Sequence, residues 1–376
     1  MRPEAIAAME PFLAGCFANP SGIHRAAQAA KTALEEAREL VAAALGAQPG
    51  EIVFTAGGTE ADNLAVEGSA RAARAAGRGD GVVTTAFEHK GVLAAADRLG
   101  VDGFTIRRVG IDRGGIVDLD ALERALDAET VVVSVMLVNN EVGTIQPLDE
   151  IGALVRERAP DAVLHTDAVQ AVPWLDVAEA ASAADLVAIS AHKFGGPKGS
   201  GALVARQGVQ IVPLIEGGGQ ERGLRAGTVN VAGVVALAAA LRATVATRAA
   251  DGIRIGAMRD RLLAGLVDAV PDTFVNGDPH RKIAGNCHVG FRGLEAEALL
   301  IALDQADVYA AAGSSCSSGA TEPSHVLAAM GLPRDDALAS VRISLGFASS
   351  DADVDRALEV LPDTVAQLRT RAGALA

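Results

Sequence analysis

"ISAHKFGGPKGSGAL", residues 189–203, sets Lys193 at the end of a strand-like run, Asp185–Ser190, and ahead of a glycine-rich stretch. Lysine rarely occupies the interior of a large protein, so its place at a strand end asks for a chemical reason. Outward from it, short β-branched runs recur at Glu51–Thr55, Gly81–Thr85, Thr130–Leu137 and Ala162–Thr166. Alanine-rich helical patterns such as "HRAAQAAKTALEEARELVAAALG", residues 24–46, lie between them. Nearly continuous apolar strands alternating with helices predict an α/β fold, a mostly parallel sheet covered on both faces. After residue 245 the order changes. Two helical stretches, about 228–248 and 251–269, precede a strand at 284–290, a helix near 295–304, the strand-like "SVRIS" and a last helix. This predicts a large domain over 14–246 and a smaller α+β domain over 247–376, joined by residues 1–13.

The bulk numbers narrow the classes. The chain has 376 residues, enough for two cored domains. Its net charge of −14 speaks against binding along a nucleic-acid backbone. No uninterrupted apolar run approaches the roughly 18–20 residues of a membrane helix, and the first residues, "MRPEAIAAMEPFLAG", do not read as a secretory signal. Cys16, Cys287 and Cys316 form neither a disulfide framework nor a paired-cysteine zinc site, so no resident metal is expected. The expectation is a cytoplasmic protein without a membrane or nucleic-acid partner.

In open α/β sheets ligands collect beyond the carboxyl ends of the strands, and the unusual polar residues do follow strands. After 51–55 comes "AGGTEADNLAVEG", where Gly58 and Thr59 open a helix whose free N–H groups can hold a phosphate. Alone, this is an ordinary glycine turn with Thr59 as cap. His89 follows 81–85, and alone it is a cap or a surface histidine. Asn140 follows 130–137; Asp167 and Gln170 follow 162–166 and could be plain loop residues. Ser190, His192 and Lys193 close their own strand. Together a phosphate cradle, a histidine, an aspartate and a strand-end lysine meet the needs of pyridoxal phosphate. The lysine forms a Schiff base with its aldehyde and the carboxylate pairs with its pyridine nitrogen.

These residues also carry a resemblance. "NPSGIH" (19–24), "FTAGGTEADNLA" (54–65), "EHKGVL" (88–93), "VNNEVGTIQP" (138–147), "HTDAVQA" (165–171), "SAHKFGGPKGSGAL" (190–203), "GGGQERGLRAGTVN" (217–230), "AAGSSCSSGATEPSHVL" (311–327) and "VRISLG" (341–346) occur in order. The chain resembles the cysteine desulfurases of the class V aminotransferase group, fold-type-I pyridoxal phosphate enzymes. The resemblance implies a seven-stranded, mostly parallel sheet between helices and a homodimer. It implies that Lys193 holds the cofactor and moves protons, Asp167 pairs with the ring nitrogen, Gln170 bonds the ring oxygen, and His89 stacks on the ring and serves in acid–base steps. Gly58, Thr59, Ser190 and His192 would bind the phosphate, with Thr228 reaching it from the other subunit. Asn140 would lie beside ring and substrate, and Arg342 would grip the substrate carboxylate, although a strand-edge arginine is commonly only a surface residue.

Cys316 separates this reaction from the transaminases, kynureninases and lyases on the same fold. Its surroundings, "AAGSSCSSGATEP", are small and polar and predict an exposed, mobile loop. Such a thiolate can reach a substrate sulfur and leave carrying it, whereas Cys287 in "NCHVGF" and Cys16 read as structural. The resemblance is to the subgroup with a long serine-rich cysteine loop. It implies conversion of L-cysteine to L-alanine, with a persulfide on Cys316 passed to an iron–sulfur scaffold or a tRNA-thiolating enzyme. Cys316 could also ligate an iron–sulfur cluster transiently. Selenocysteine lyase, a class V transaminase and a non-catalytic sulfur-assembly scaffold are the alternatives. Two departures stand out. Family members usually carry a strand ahead of the point where this chain has "MRPEAIAAM", so looser substrate binding is expected; "NPSGIHRAAQ" also differs from the usual pattern.

Overall fold

The computed structural model describes residues 1–313 and 322–375. Two units divide the chain: one comprises 1–109, 119–138 and 146–248, the other 110–118, 139–145 and 249–376. The expected boundary at 246–247 falls two residues short of the observed one. The N-terminal residues belong to the first unit and not to the small domain, because Arg2 is buried there. Its backbone N–H donates to Gly195 O at 2.8 Å and its Nε to Phe194 O at 3.3 Å. Segments 110–118 and 139–145 belong to the second unit, a division that no change of composition marks.

The first unit holds a seven-stranded sheet: β1 Ile52–Thr55, β2 Gly81–Thr85, β3 Thr105–Val109, β4 Thr130–Ser134, β5 Val163–Asp167, β6 Leu186–Ser190 and β7 Gly201–Ala205, in the order β1-β7-β6-β5-β4-β2-β3. Neighbours from β6 to β3 pair in parallel, and β7 alone is reversed, antiparallel to both β1 and β6. Strands β1, β2, β4, β5 and β6 are buried along their whole length, and β1, β4 and β6 are accordingly rich in apolar, mostly β-branched residues. The edge strand β3 carries Arg107 and Arg108 and is partly exposed, an edge blunted by charge. Apolar side chains fill the sheet's surroundings, among them Val53, Leu64, Leu186 and Leu203 in one cluster and Val82, Leu99, Phe104 and Val132 in another.

The second unit has a four-stranded antiparallel sheet, β10-β11-β9-β8, from β8 Thr273–Val275, β9 Asn286–Phe291, β10 Ala311–Ala312 and β11 Ser340–Ser344. The helices Ala296–Asp304 and Asp351–Leu375 supply Leu299, Leu303, Val354 and Leu361 to a core with Val289, Phe291 and Val341. This is the α+β arrangement expected.

One expectation fails. The two helices at 228–248 and 251–269 are a single helix, Val231–Ala269. The segment between them, "RAADG", contains no proline, and one glycine inside a helix costs only about 1 kcal/mol against alanine. By length and composition alone this helix could cross a membrane. An apolar window within it is 61% buried inside the protein.

A buried ion pair secures the start of the site region. Arg38, on the helix Arg25–Ala44, donates through Nη2 to Glu221 Oε1 at 2.7 Å and through Nη1 to Glu221 Oε2 at 2.9 Å. Glu221 also accepts from Phe54 N–H at 2.8 Å. Glu221 and Arg222 sit at φ +45° and +58°, left-handed conformations that non-glycine residues rarely adopt. Glu221→Ala would remove the buried, two-pronged carboxylate partner of Arg38 and leave it only the half-exposed Glu35, whose Oε2 accepts from Arg38 Nε at 3.1 Å. A loss of about 3–5 kcal/mol in unfolding free energy is expected in denaturant titration.

Candidate active site

The register of β1, β7 and β6 builds the phosphate end of the site. Gly201 is opposite both Thr55 and Ser190, so the carboxyl ends of β1 and β6 lie on either side of the first residue of β7. A Cβ at Gly201 would stand 2.7 Å from the Gly57 backbone and 2.8 Å from Ile189 O. Only glycine permits this approach. Beyond Thr55 the chain turns at Gly57, φ +155°, into the helix Gly58–Asn63. A Cβ at Gly58 would lie 2.7 Å from Val169 Cγ2. A cavity of about 750 Å³ opens here, with Gly57, Gly58, Thr59, Ser190, His192 and Arg225 among its lining. Ser190 Oγ is 2.9 Å from His192 Nδ1. The expected phosphate residues of this chain are therefore gathered around one cavity, except Thr228, which is exposed in the segment after the Glu221 turn.

The next strand ends carry the groups expected to face the ring. Lys193 is the last residue of a tight turn, Ala191–Lys193, that closes β6, and it is exposed. Asp167 ends β5 and is 4% exposed; its Oδ1 accepts from Val169 N–H at 2.8 Å. Burial first, then the neighbouring Asp62 carboxyl, push Asp167 up to about 7. Gln170, three residues on, is half-buried. His89 caps the helix Lys90–Val101, and its Nδ1 accepts from Gly91 N–H at 3.1 Å, which leaves Nε2 to carry the proton of the neutral ring. A Cβ at Gly91 would be 3.1 Å from His89 Nδ1 and 3.3 Å from Thr59 Cγ2. His89 thus stands next to the cradle.

Three groups here escaped the sequence reading. Asp62, Glu88 and His165 are all buried within the first unit. Asp62 lies one helical turn from Thr59 in "GTEADN", and His165 precedes Asp167 by two in "HTD". Asp62, His89 and Asp167 each offer an atom within 4.8 Å of the others. The available signal was a charged residue set into the apolar run "ADNLAV", which spacing alone does not separate from a surface position.

Asn140 and Arg342 belong to the second unit, and that unit brings them together. Arg342, on β11 opposite His288, donates through Nη1 to Asn140 O at 2.7 Å. The adjoining Glu141 is 1% exposed; its carbonyl accepts from Asn286 Nδ2 at 2.7 Å and its side chain accepts from Ser324 Oγ. A Cβ at Gly313 would stand 2.5 Å from Glu141 Oε2 and 3.0 Å from Ser324 Cβ. Cys316 itself lies outside the described residues. Cys287 is buried on β9, which raises its thiol to about 11, as its structural reading expects.

The donor set matches pyridoxal phosphate. A glycine turn that a Cβ would fill, a hydroxyl and an imidazole border one cavity, and a buried carboxylate and a lysine follow at adjoining strand ends of the same sheet. Comparison with known proteins gives the same direction. Residues 1–357 match the class-V aminotransferase family. A protein named cysteine desulfurase IscS from Clostridium botulinum is 41% identical over 370 residues, covering 98% of this chain and 92% of that protein. Its namesake from Methanosarcina thermophila is 42% identical over 369 residues, covering 98% and 90%. Among solved structures, a NifS-like protein superimposes with TM-score 0.92 at 33% identity, covering 98% of this chain and 97% of its own. A structure of SspA in complex with cysteine superimposes with TM-score 0.81 at 32% identity, covering 92% and 95%.

Proposed function

The chain belongs to the class-V aminotransferase family and is a pyridoxal phosphate-dependent cysteine desulfurase; we propose that Cys316 receives the sulfur and carries it to an acceptor protein. Support comes above all from Lys193, which closes β6 beside the strand that ends in the buried Asp167.

When bound, pyridoxal phosphate withdraws electrons from the substrate Cα through its protonated ring. The residues of this chain do the rest. Gly58, Thr59, Ser190 and His192 would hold the phosphate, joined by Thr228 from a second copy in a homodimer. Asp167 would keep the ring nitrogen protonated, Gln170 would bond the ring oxygen, and His89 would stack on the ring and serve in acid–base steps. Lys193 Nζ removes the Cα proton of L-cysteine. Arg342 grips the substrate carboxylate in a two-pronged salt bridge, and Asn140 orients the substrate. The Cys316 thiolate then attacks the substrate sulfur. The S–S bond forms as the C–S bond breaks, the C–S electron pair stays with carbon, and protonation of Cβ together with return of the proton from Lys193 to Cα yields L-alanine. Cysteine plus thiol becomes alanine plus persulfide, so atoms and electrons balance. An iron–sulfur scaffold or a tRNA-thiolating enzyme in the cytoplasm is the proposed acceptor.

The test is turnover of L-cysteine with a thiol reductant and no keto acid. Alanine and sulfide are expected in equal amounts. Alanine that forms only when a keto acid is supplied would identify a transaminase instead.

A further inference from the structure

Beside Asp167 lies a group of titratable side chains that the proposed reaction leaves unused. Asp62 is 1% exposed and His165, on β5, is fully buried. Asp62 Oδ1 and His165 Nε2 are 3.5 Å apart, and among the described residues neither atom has a hydrogen-bond partner. The second imidazole nitrogen, Nδ1, is 2.9 Å from Ser134 Oγ on β4. An Asp62 carboxyl oxygen is also within 4.8 Å of one on Asp167 and of a His89 ring nitrogen. The remaining acid is Glu88, fully buried, whose Oε1 accepts from Thr85 Oγ1 and Met136 N–H. Three acids and two histidines therefore share one interior region.

We propose that Asp62 is a positioning residue held as the un-ionised acid, its Oδ1 hydroxyl donating to His165 Nε2, so that the Asp62–Asp167 pair carries one negative charge and Asp167 carries it. Two carboxylates this close and this buried cannot both ionise. The proton goes to the one with less compensation. Asp167 receives the Val169 N–H at 2.8 Å, a hydrogen bond that favours its charged form. Burial raises Asp62 to about 8 with no opposing contact. Burial also lowers His165 to about 4, so a neutral acid–imidazole pair is favoured over two buried charges. His165 Nδ1–H must then donate to Ser134 Oγ, 2.9 Å away, which leaves Nε2 as the acceptor. The consequence for the ring nitrogen rests on the function proposed above; the protonation of Asp62 does not.

Cofactor-loaded protein labelled with [4-¹³C]aspartate is measured by infrared spectroscopy at pH 7. The expected result is a label-sensitive carbonyl band of an un-ionised aspartic acid that disappears in Asp62→Asn. Absence of the band in the wild type, or its survival in Asp62→Asn, overturns the proposal. If Asp62→Asn does not fold, His165→Gln serves; the band should then shift as the imidazole acceptor is lost, and an unmoved band overturns the proposal. A second readout is the pH dependence of unfolding. A folded value near 8 against an ordinary 3.8 means that the folded state takes up the proton more readily. That advantage is complete below about pH 4 and is lost as pH rises toward 8. Between pH 5 and 7 the folded-to-unfolded ratio of the wild type should fall about a hundredfold relative to Asp62→Asn. Parallel profiles overturn the proposal. Neither readout involves cysteine turnover, so a protein that keeps the band but releases no alanine counts against the reaction and not against Asp62.

Discussion

Lys193→Ala is expected to give a protein that folds but holds its cofactor without a covalent link. The lysine is exposed at the end of a tight turn, so its side chain contributes little to the core. Alanine also suits the turn's backbone. What disappears is the amine proposed to join the cofactor aldehyde and shuttle the Cα proton. The purified wild type should be yellow, and borohydride should fix the cofactor on the peptide containing Lys193, as read by mass spectrometry. In Lys193→Ala no peptide should be labelled, and cysteine turnover should fall by about 10²–10⁴-fold or more, the range of a lost general base. Label on Lys198, five residues away and in the lining of the same cavity, would refute the assignment of Lys193.

Cys316→Ser should separate cofactor chemistry from sulfur transfer. Serine preserves size and polarity in a segment that the sequence predicts to be exposed, where substitutions usually cost within about 0.5 kcal/mol. Colour and thermal stability should survive. Addition of L-cysteine should still change the absorption spectrum, because Lys193, Asp167 and Arg342 remain. A hydroxyl supplies no low-pKa anion to attack sulfur, so alanine release should drop by orders of magnitude and no persulfide should form on the protein. Desulfuration at the wild-type rate would refute the proposed role of Cys316. Loss of cysteine turnover with retained release of selenium from selenocysteine would favour a lyase.

The fold class and the strand-end lysine were legible because their signals are local. A strand buried on both faces is largely apolar, and β4 and β6 show it within five residues, whereas β5 is apolar only at its first two positions before His165, Thr166 and Asp167. Helix starts are local too: His89 was read at one, and it caps the helix Lys90–Val101. The glycines of the cradle are needed where the backbone turns and approaches a neighbour, and they stand in the sequence directly after β1. These features follow from short-range sterics and periodicity, so the chain alone determined them.

Tertiary structure decided what depends on partners far along the chain. The reversal of β7 is invisible in its pattern, since a buried strand is equally apolar in either direction; pairing with β1 and β6 sets it. Arg38 and Glu221, 183 residues apart, look like ordinary surface charges until folding removes water from both. Asp62 and His165 are separated by about a hundred positions, and each alone reads as a polar residue in a helix or strand. Only their burial against each other, beside Asp167, turns them into a pair that must settle where one proton resides. Ionisation energy depends on desolvation and on the nearest charges, and both are properties of the assembled interior rather than of any stretch of sequence.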